Sequence, residues 1–279
     1  MNKDLSLGFS PCPNDTFIFY ALVHGKIAAG ELVFQEPLLE DVEQLNMWAL
    51  AGRLDVTKLS FHALGHVLDE YCVLSAGSAL GRGCGPLLVT GADRPAQSLS
   101  GKRIAIPGKL TTAALLLQMF LGKRCELVEM RFDRIIDAIC NREVDAGVII
   151  HESRFTYRER GLVCLQDLGL WWEQSVGLPI PLGCIAARRS LGVATIRAID
   201  RAIRDSVDYA FLHPDRCLPY IRSKSQEMDE AVVRSHIGLY VNDFSRDLGE
   251  EGRAAIAAFL EKGRSAGVLP ASTRDISVG

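Results

Sequence analysis

The histidine at position 151 stands where an imidazole could do acid–base chemistry. His151 follows the apolar run GVII and precedes Glu152, so we expect it where a buried strand ends and a cleft begins. Imidazole takes up or releases a proton near neutral pH, which suits a general base or acid. Two interpretations of His151 are open at this point, a catalytic base and a structural histidine.

Three other short segments carry polar groups that could hold a small molecule. Residues 10–15 (SPCPND) form a proline-stiffened loop before an apolar helix, whose start their polar side chains could cap. Residues 58–60 (KLS) end a strand pattern, and Thr111 and Thr112 open a helix after a Pro-Gly turn. Hydroxyls beside free helix N–H groups suit a carboxylate or a sugar hydroxyl, and helix capping alone is the competing explanation.

The elements that must position these residues form a pattern that occurs twice. The first copy has strands LSLGF, ELVFQE and DVTKLS, separated by helices that begin near residues 16 and 40. The second copy has strands KRIAIP, ELVEMRF and DAGVII, with helices that begin near residues 112 and 133. Strands that alternate with helices predict an α/β fold with parallel sheets and right-handed crossovers.

The doubled pattern predicts two lobes with a ligand cleft between them. We expect residues 1–90 and 184–279 to form the larger first lobe and residues 91–183 the second. Two strands, near 85–92 and 181–188, would carry the chain between the lobes as hinges, and the C-terminal helices would pack on the first lobe. Because ligands of open α/β sheets lie beyond the carboxyl ends of the strands, all the polar segments above should meet in this cleft.

The composition excludes several classes of partner. The chain has 279 residues, 48% of them hydrophobic, and its formal charge of −3 is spread without long runs of one sign. This predicts a soluble globular protein with a small-molecule substrate and no nucleic-acid or membrane partner. The amino terminus carries no recognisable secretory leader, and eight dispersed cysteines indicate reduced thiols in the cytoplasm.

The sequence offers no convincing metal site. The cysteines form no CxxC pair, His151 is not part of an HExxH motif, and His62 and His66 lack a third ligand. We therefore expect neither a metal nor another cofactor. Cys12 is interpreted as a small packed residue rather than a nucleophile.

Long motifs of this chain closely resemble the 1,4-dihydroxy-6-naphthoate synthases of the futalosine route to menaquinone. These motifs are SPCPNDTFIFYALVHGKI, TKLS, SAGSALGRGCGPLLV, TT and IIHESRFTY, and the likeness extends over nearly the whole chain. The resemblance implies the type II periplasmic-binding-protein fold. It also implies a cytoplasmic lyase that converts cyclic dehypoxanthine futalosine into 1,4-dihydroxy-6-naphthoate.

The resemblance also implies roles for individual residues. The proton acceptor of the family falls on His151, and its substrate-contacting positions fall on Lys58, Leu59, Ser60, Thr111 and Thr112. Predicted geometry adds Ser10 and Asn14 of the opening loop and Asn46 of the second helix. Two other functions are open: a chorismate dehydratase of the same fold, and a non-catalytic solute-binding protein. The oligomeric state is open as well.

Overall fold

The strands of the protein form two separate sheets. The computed structural model describes residues 4–93, 98–122, 124–225 and 229–278. The strands are β1 (Leu7–Phe9), β2 (Leu38–Leu39), β3 (Val56–Ser60), β4 (Tyr71–Val73), β5 (Ala79–Gly81), β6 (Leu87–Gly91), β7 (Arg103–Ile106), β8 (Glu126–Glu129), β9 (Ala146–Ile149), β10 (Leu162–Asp167) and β11 (Ile180–Arg188). The first sheet has the order β2-β1-β3-β11-β4, with β5 also on β11, and the second has the order β8-β7-β9-β6-β10.

Helices connect the strands and follow the last one. They are α1 (Pro13–Val23), α2 (Val42–Leu50), α3 (Phe61–His66), α4 (Thr112–Leu121), α5 (Ile135–Cys140), α6 (Ser153–Thr156), α7 (Leu168–Val176), α8 (Val193–Leu212), α9 (Pro214–Lys224), α10 (Glu230–Tyr240), α11 (Asp243–Arg246) and α12 (Gly249–Ser265). Helices α8, α9 and α10 pack on α1, while α12 packs on α3 and β11. The C-terminal helices therefore pack against elements that adjoin the first sheet.

The two sheets repeat one topology. In the first, β1 pairs in parallel with β2 and β3, and β3 then pairs with antiparallel β11. In the second, β7 pairs in parallel with β8 and β9, and β9 then pairs with antiparallel β6. This confirms the α/β fold and the doubled pattern. The expected strand at 31–36 is reduced to one bridge between Leu5 and Phe34, because Pro37 interrupts the ladder before β2.

The chain crosses between the sheets in short irregular segments rather than in hinge strands. Strand β6 lies wholly in the second sheet and β11 wholly in the first. The crossings are therefore residues 82–86 and 177–179, a few residues before the expected strands. The expected lobe boundaries at 90/91 and 183/184 consequently cut through β6 and β11, although each strand stays within one sheet.

One hydrophobic cluster extends over both lobes. It joins Leu59 of the first sheet, Leu88 of the second and Trp172 of α7, all wholly buried. A second cluster lies under the first sheet, where Phe9 stacks on Phe19 of α1. The shared cluster holds the lobes together, and some of its members, such as Cys84 and Ala113, also line the cavity described next.

Candidate functional site

A cavity lies between the two lobes. Its polar lining residues are Ser10, Asn14, Asp15, Lys58, Ser60, Thr111, Thr112, His151, His236 and Tyr240. The walls also include apolar side chains such as Val42, Ile150 and Leu182. An apolar cavity with a few converging polar groups is the usual form of a small-molecule site.

The opening loop supplies a buried carboxylate rather than helix caps. Helix α1 begins at Pro13 after Cys12, with no side-chain cap, so the predicted capping role is wrong. Instead Asp15, wholly buried, accepts hydrogen bonds from Ser10 N (3.1 Å), Ser10 Oγ (2.8 Å) and Asn14 Nδ2 (2.7 Å). Lys58 completes its shell as a buried ion pair. This network fixes the loop and leaves Ser10 and Asn14 on the cavity wall.

Strand β3 divides its residues between the cavity and the core. Lys58 and Ser60 line the cavity, whereas Leu59 is wholly buried in the shared hydrophobic cluster, because successive side chains of a strand point to opposite faces. The Leu59 side chain therefore does not line the cavity with Lys58 and Ser60. Asn46 is also wholly buried behind the wall, where it accepts from Ser60 N (2.9 Å) and donates to Ser60 Oγ (3.2 Å). Asn46 thus positions Ser60.

The two threonines use their hydroxyl groups within the protein. Thr111 Oγ1 caps α4 by accepting from Ala114 N (3.2 Å) and donates to Gly108 O (2.8 Å). Thr112 Oγ1 donates to Leu182 O across the lobes (2.6 Å). Among the described residues, no acceptor lies within reach of the N–H groups of Thr112 and of Ala113. The start of α4 therefore offers backbone donors to an anion.

His151 occupies the end of the second sheet's central strand, as its sequence position predicts. Its φ of 56° is in the left-handed region, which few residues other than glycine adopt, and Phe132 packs edge-on against its ring at 4.9 Å. Cys12 Sγ lies 3.9 Å from Nε2. Burial lowers the His151 pKa to about 4; Asp15 opposes this shift and Lys58 adds to it. The imidazole is therefore neutral at pH 7.

Sequence reasoning missed two aromatic residues of the cavity. His236 and Tyr240 lie one turn apart on α10, and their rings are 4.6 Å apart. The His236 ring faces that of His151 at a centroid distance of 6.1 Å and an interplanar angle of 14°. The spacing of four in HIGLY is the one available signal, since it places both side chains on one helix face. Nothing local indicates that this face meets the cleft.

An acidic outer groove adjoins the cavity at Ser10. Its charged lining residues are Glu40, Asp41, Glu43, Glu129, Arg131 and Glu152. Burial raises the pKa of Asp41 and the pKa of Glu43. Because Ser10 lines both the cavity and the outer groove, a substrate too large for the cavity can extend into the more polar outer groove.

Three hydrogen bonds close the lobes over the site. Glu43 of α2 accepts from Leu110 N (2.8 Å), His62 Nδ1 lies 3.1 Å from Thr111 O, and Thr112 bonds Leu182 as above. Gly108 makes the first contact possible, since a Cβ there would lie 2.5 Å from Glu43 Cγ and its φ is +144°. The described residues thus adopt a closed arrangement.

No group of three or more His, Cys, Asp or Glu side chains in the described ranges is arranged to hold a metal ion. No helix within them has the length and apolar character needed to cross a bilayer.

The two repeated sheets and the cavity between them define the periplasmic-binding-protein class of fold. A Candida albicans protein described as having the generic periplasmic binding protein fold matches 97% of this chain and 92% of its own, with a TM-score of 0.69 and 17% identity. At that identity the likeness concerns the fold alone. A crystal structure of a protein from Archaeoglobus fulgidus is more similar, with a TM-score of 0.89 and 39% identity over 95% of this chain and 98% of that one.

Within that class, the chain belongs to the menaquinone biosynthesis family, whose model matches residues 5–265. It is 53% identical to the 1,4-dihydroxy-6-naphthoate synthase of Thermus thermophilus, over 98% of this chain and 99% of that protein. The synthase of Streptomyces coelicolor is 45% identical, with 96% and 95% covered. This kinship confirms the family expected from the motifs and identifies the chain as an enzyme.

Proposed function

We propose that this enzyme is a 1,4-dihydroxy-6-naphthoate synthase that converts cyclic dehypoxanthine futalosine by proton removal in the interlobe cavity. Similarity to two curated synthases over nearly the full length supports the reaction. The position of His151 supports the mechanism: a neutral imidazole is held in a left-handed backbone conformation on the cavity wall. Such backbone conformations cost free energy and cluster at functional sites.

In this mechanism His151 is the general base. It removes a proton from a carbon beside an activating carbonyl, and the electron pair passes to that carbonyl oxygen as an enolate. The carbon skeleton then fragments, the sugar-derived remainder leaves, and the ring system aromatises. A neutral imidazole in a closed cavity accepts the proton without competition from bulk water.

Donor groups from both lobes bind the negatively charged groups of the substrate. The N–H groups of Thr112 and Ala113, at the positive end of α4, suit the substrate carboxylate. Ser60 and Lys58 supply further donors from the first lobe, and the ion pair with Asp15 holds Lys58 in place. The outer groove accommodates the polar sugar-derived part.

Incubation of the purified enzyme with cyclic dehypoxanthine futalosine tests the reaction. We expect the naphthoate to appear by mass spectrometry with the wild type, and at a much lower rate with the folded variant His151→Asn. A folded wild type that binds the compound without turnover would favour a solute-binding protein. Turnover of chorismate in its place would favour the dehydratase.

The cellular site of the reaction is proposed to be the cytoplasm. All eight cysteines are free thiols, and the buried ones, such as Cys72 and Cys184, pack as apolar residues. A reducing compartment keeps such thiols unpaired.

A further inference from the structure

His236 is a second histidine of the cavity, and the reaction as described above does not use it. It lies on α10, 0% exposed, and lines the cavity opposite His151. Buried polar groups are nearly always paired, so each ring nitrogen of His236 calls for a partner.

A chain of hydrogen bonds determines which nitrogen of His236 carries the proton. Asp15, ion-paired with Lys58, accepts a hydrogen bond from Asn14 Nδ2 at 2.7 Å. A carboxylate can only accept, so the Asn14 amide turns its NH₂ toward Asp15 and its Oδ1 toward His236. Asn14 Oδ1 lies 3.0 Å from His236 Nε2 and can only accept in turn. Nε2 therefore carries the proton, and Nδ1 carries a lone pair.

Nδ1 is the atom that the protein leaves without a partner. It is buried, and no group of the described residues lies within hydrogen-bond distance of it. Burial lowers the His236 pKa well below its usual value, and His151 and Lys58 lower it further. The ring is therefore neutral, so Nδ1 is an acceptor that suits a hydroxyl and disfavours a carboxylate.

We propose that His236 Nδ1 accepts a hydrogen bond from a hydroxyl group of the substrate and so holds the reacting carbon in front of His151. This inference rests on the proposed function for the identity of the substrate. It gives the cavity a defined polarity, with donors at the start of α4 and an acceptor on α10. It also assigns a purpose to the Lys58–Asp15–Asn14 chain, which sets the tautomer of His236.

Two amide variants separate this role from a structural one. An asparagine places its amide near the position of Nδ1, whereas the longer glutamine reaches the position of Nε2. His236→Asn therefore keeps an acceptor for the hydroxyl and loses the bond to Asn14, and His236→Gln does the reverse. We expect kcat/KM to fall about 10- to 100-fold in His236→Gln, the effect of one lost buried hydrogen bond to the substrate, and to fall less in His236→Asn. The opposite ranking, with both variants folded, would overturn the proposal.

Nitrogen NMR of the histidine rings gives a readout that does not depend on turnover. In the ¹⁵N-labelled wild type we expect His236 in the Nε2–H tautomer, with an Nδ1 signal that moves upfield when 1,4-dihydroxy-6-naphthoate is added under anaerobic conditions. An Nδ1 signal that stays in place while other cavity signals move would overturn the proposal. If the wild type does not convert the futalosine compound at all, the proposed function fails. If it converts the compound and either histidine readout is negative, this inference alone fails.

Discussion

At the scale of single residues, the backbone conformation of His151 decides how the residue can be tested. Left-handed φ values are tolerated by asparagine much better than by most side chains. Replacement by asparagine therefore removes the imidazole without adding backbone strain. Replacement by alanine or valine would change the backbone and the chemistry together.

We expect His151→Asn to lower kcat by about 10²–10⁴-fold, the usual contribution of a positioned base. The thermal midpoint and the substrate affinity should stay close to those of the wild type, because Asn accepts the φ of 56°. Steady-state kinetics and thermal denaturation, measured on the same preparation, check this. Loss of activity only in proportion to loss of folded protein would make His151 a structural residue.

The pH dependence of the reaction should reflect the lowered pKa of His151. The ordinary pKa of a histidine, 6.5, suggests an ionisation near neutrality, but burial in the cavity lowers the pKa of His151 to about 4. The active form is the neutral one, so kcat/KM should be flat through neutrality and should fall only as the pH approaches 4. The profile is measured in short assays, with recovery of activity at pH 7 as the control for unfolding. An acid limb centred near pH 6.5 would contradict the burial of His151.

At the scale of elements, helix α4 has separate stabilising and binding groups. The Thr111 side chain stabilises the start of the helix, while the backbone N–H groups of Thr112 and Ala113 point to ligand binding. Removal of the Thr111 hydroxyl should therefore affect the stability of the helix, whereas a change at the backbone donors should affect ligand binding. The expectation that Thr111 and Thr112 contact the substrate stays a prediction, and both residues line the cavity.

Thr111→Ala should lower the free energy of unfolding by about 1 kcal/mol, the usual cost of losing an N-cap side chain. Its KM should change little, because the cap is directed at the helix and not at the ligand. Thr111→Ser keeps the cap and is the matched control. Urea denaturation gives the stability, and a large rise in KM at unchanged stability would instead assign substrate contact to the Thr111 hydroxyl.

Some residues of the site can be predicted from the sequence and others cannot. Alternation along β3 and the end of β9 locate Lys58, Ser60 and His151, because these depend on local periodicity. The partnership of His236 with Asn14 could not be predicted in this way, since 222 positions separate the two residues. The role of Asp15 could not be predicted for a related reason: the preference of Asp for helix starts is local, whereas its partner Lys58 lies on the distant strand β3.

At the scale of the whole molecule, neutral histidines between the lobes couple stability to pH. His62 of α3 is buried against Thr111 of the other lobe, and burial lowers its pKa to about 4. In the unfolded chain the pKa of His62 has its ordinary value of 6.5. As the pH falls, the unfolded chain therefore takes up a proton before the folded protein does. The contribution of neutral His62 to the free energy of unfolding is thus complete above about pH 6.5 and decreases as the pH falls toward 4.

We expect His62 alone to account for a loss of about 3 kcal/mol between these limits, since each unit of pKa corresponds to about 1.4 kcal/mol. His62→Asn, whose amide can still donate to Thr111 O, should show a shallower loss of stability over the same range. Urea denaturation at several pH values between 7 and 4.5 measures both proteins. Identical slopes would mean that His62 is not neutral in the folded state.

The separation of β3 from its partner β11 has a consequence for synthesis of the chain. Strand β3 is buried along all five residues, yet its antiparallel neighbour β11 comes only after the whole second sheet. At about 5–20 residues per second, the ribosome leaves this strand edge without its partner for several seconds. An unpaired strand edge invites association with other chains. Among the strands made during that interval, β6 to β10 can pair with one another, so the second lobe can form first and the first lobe closes when β11 arrives.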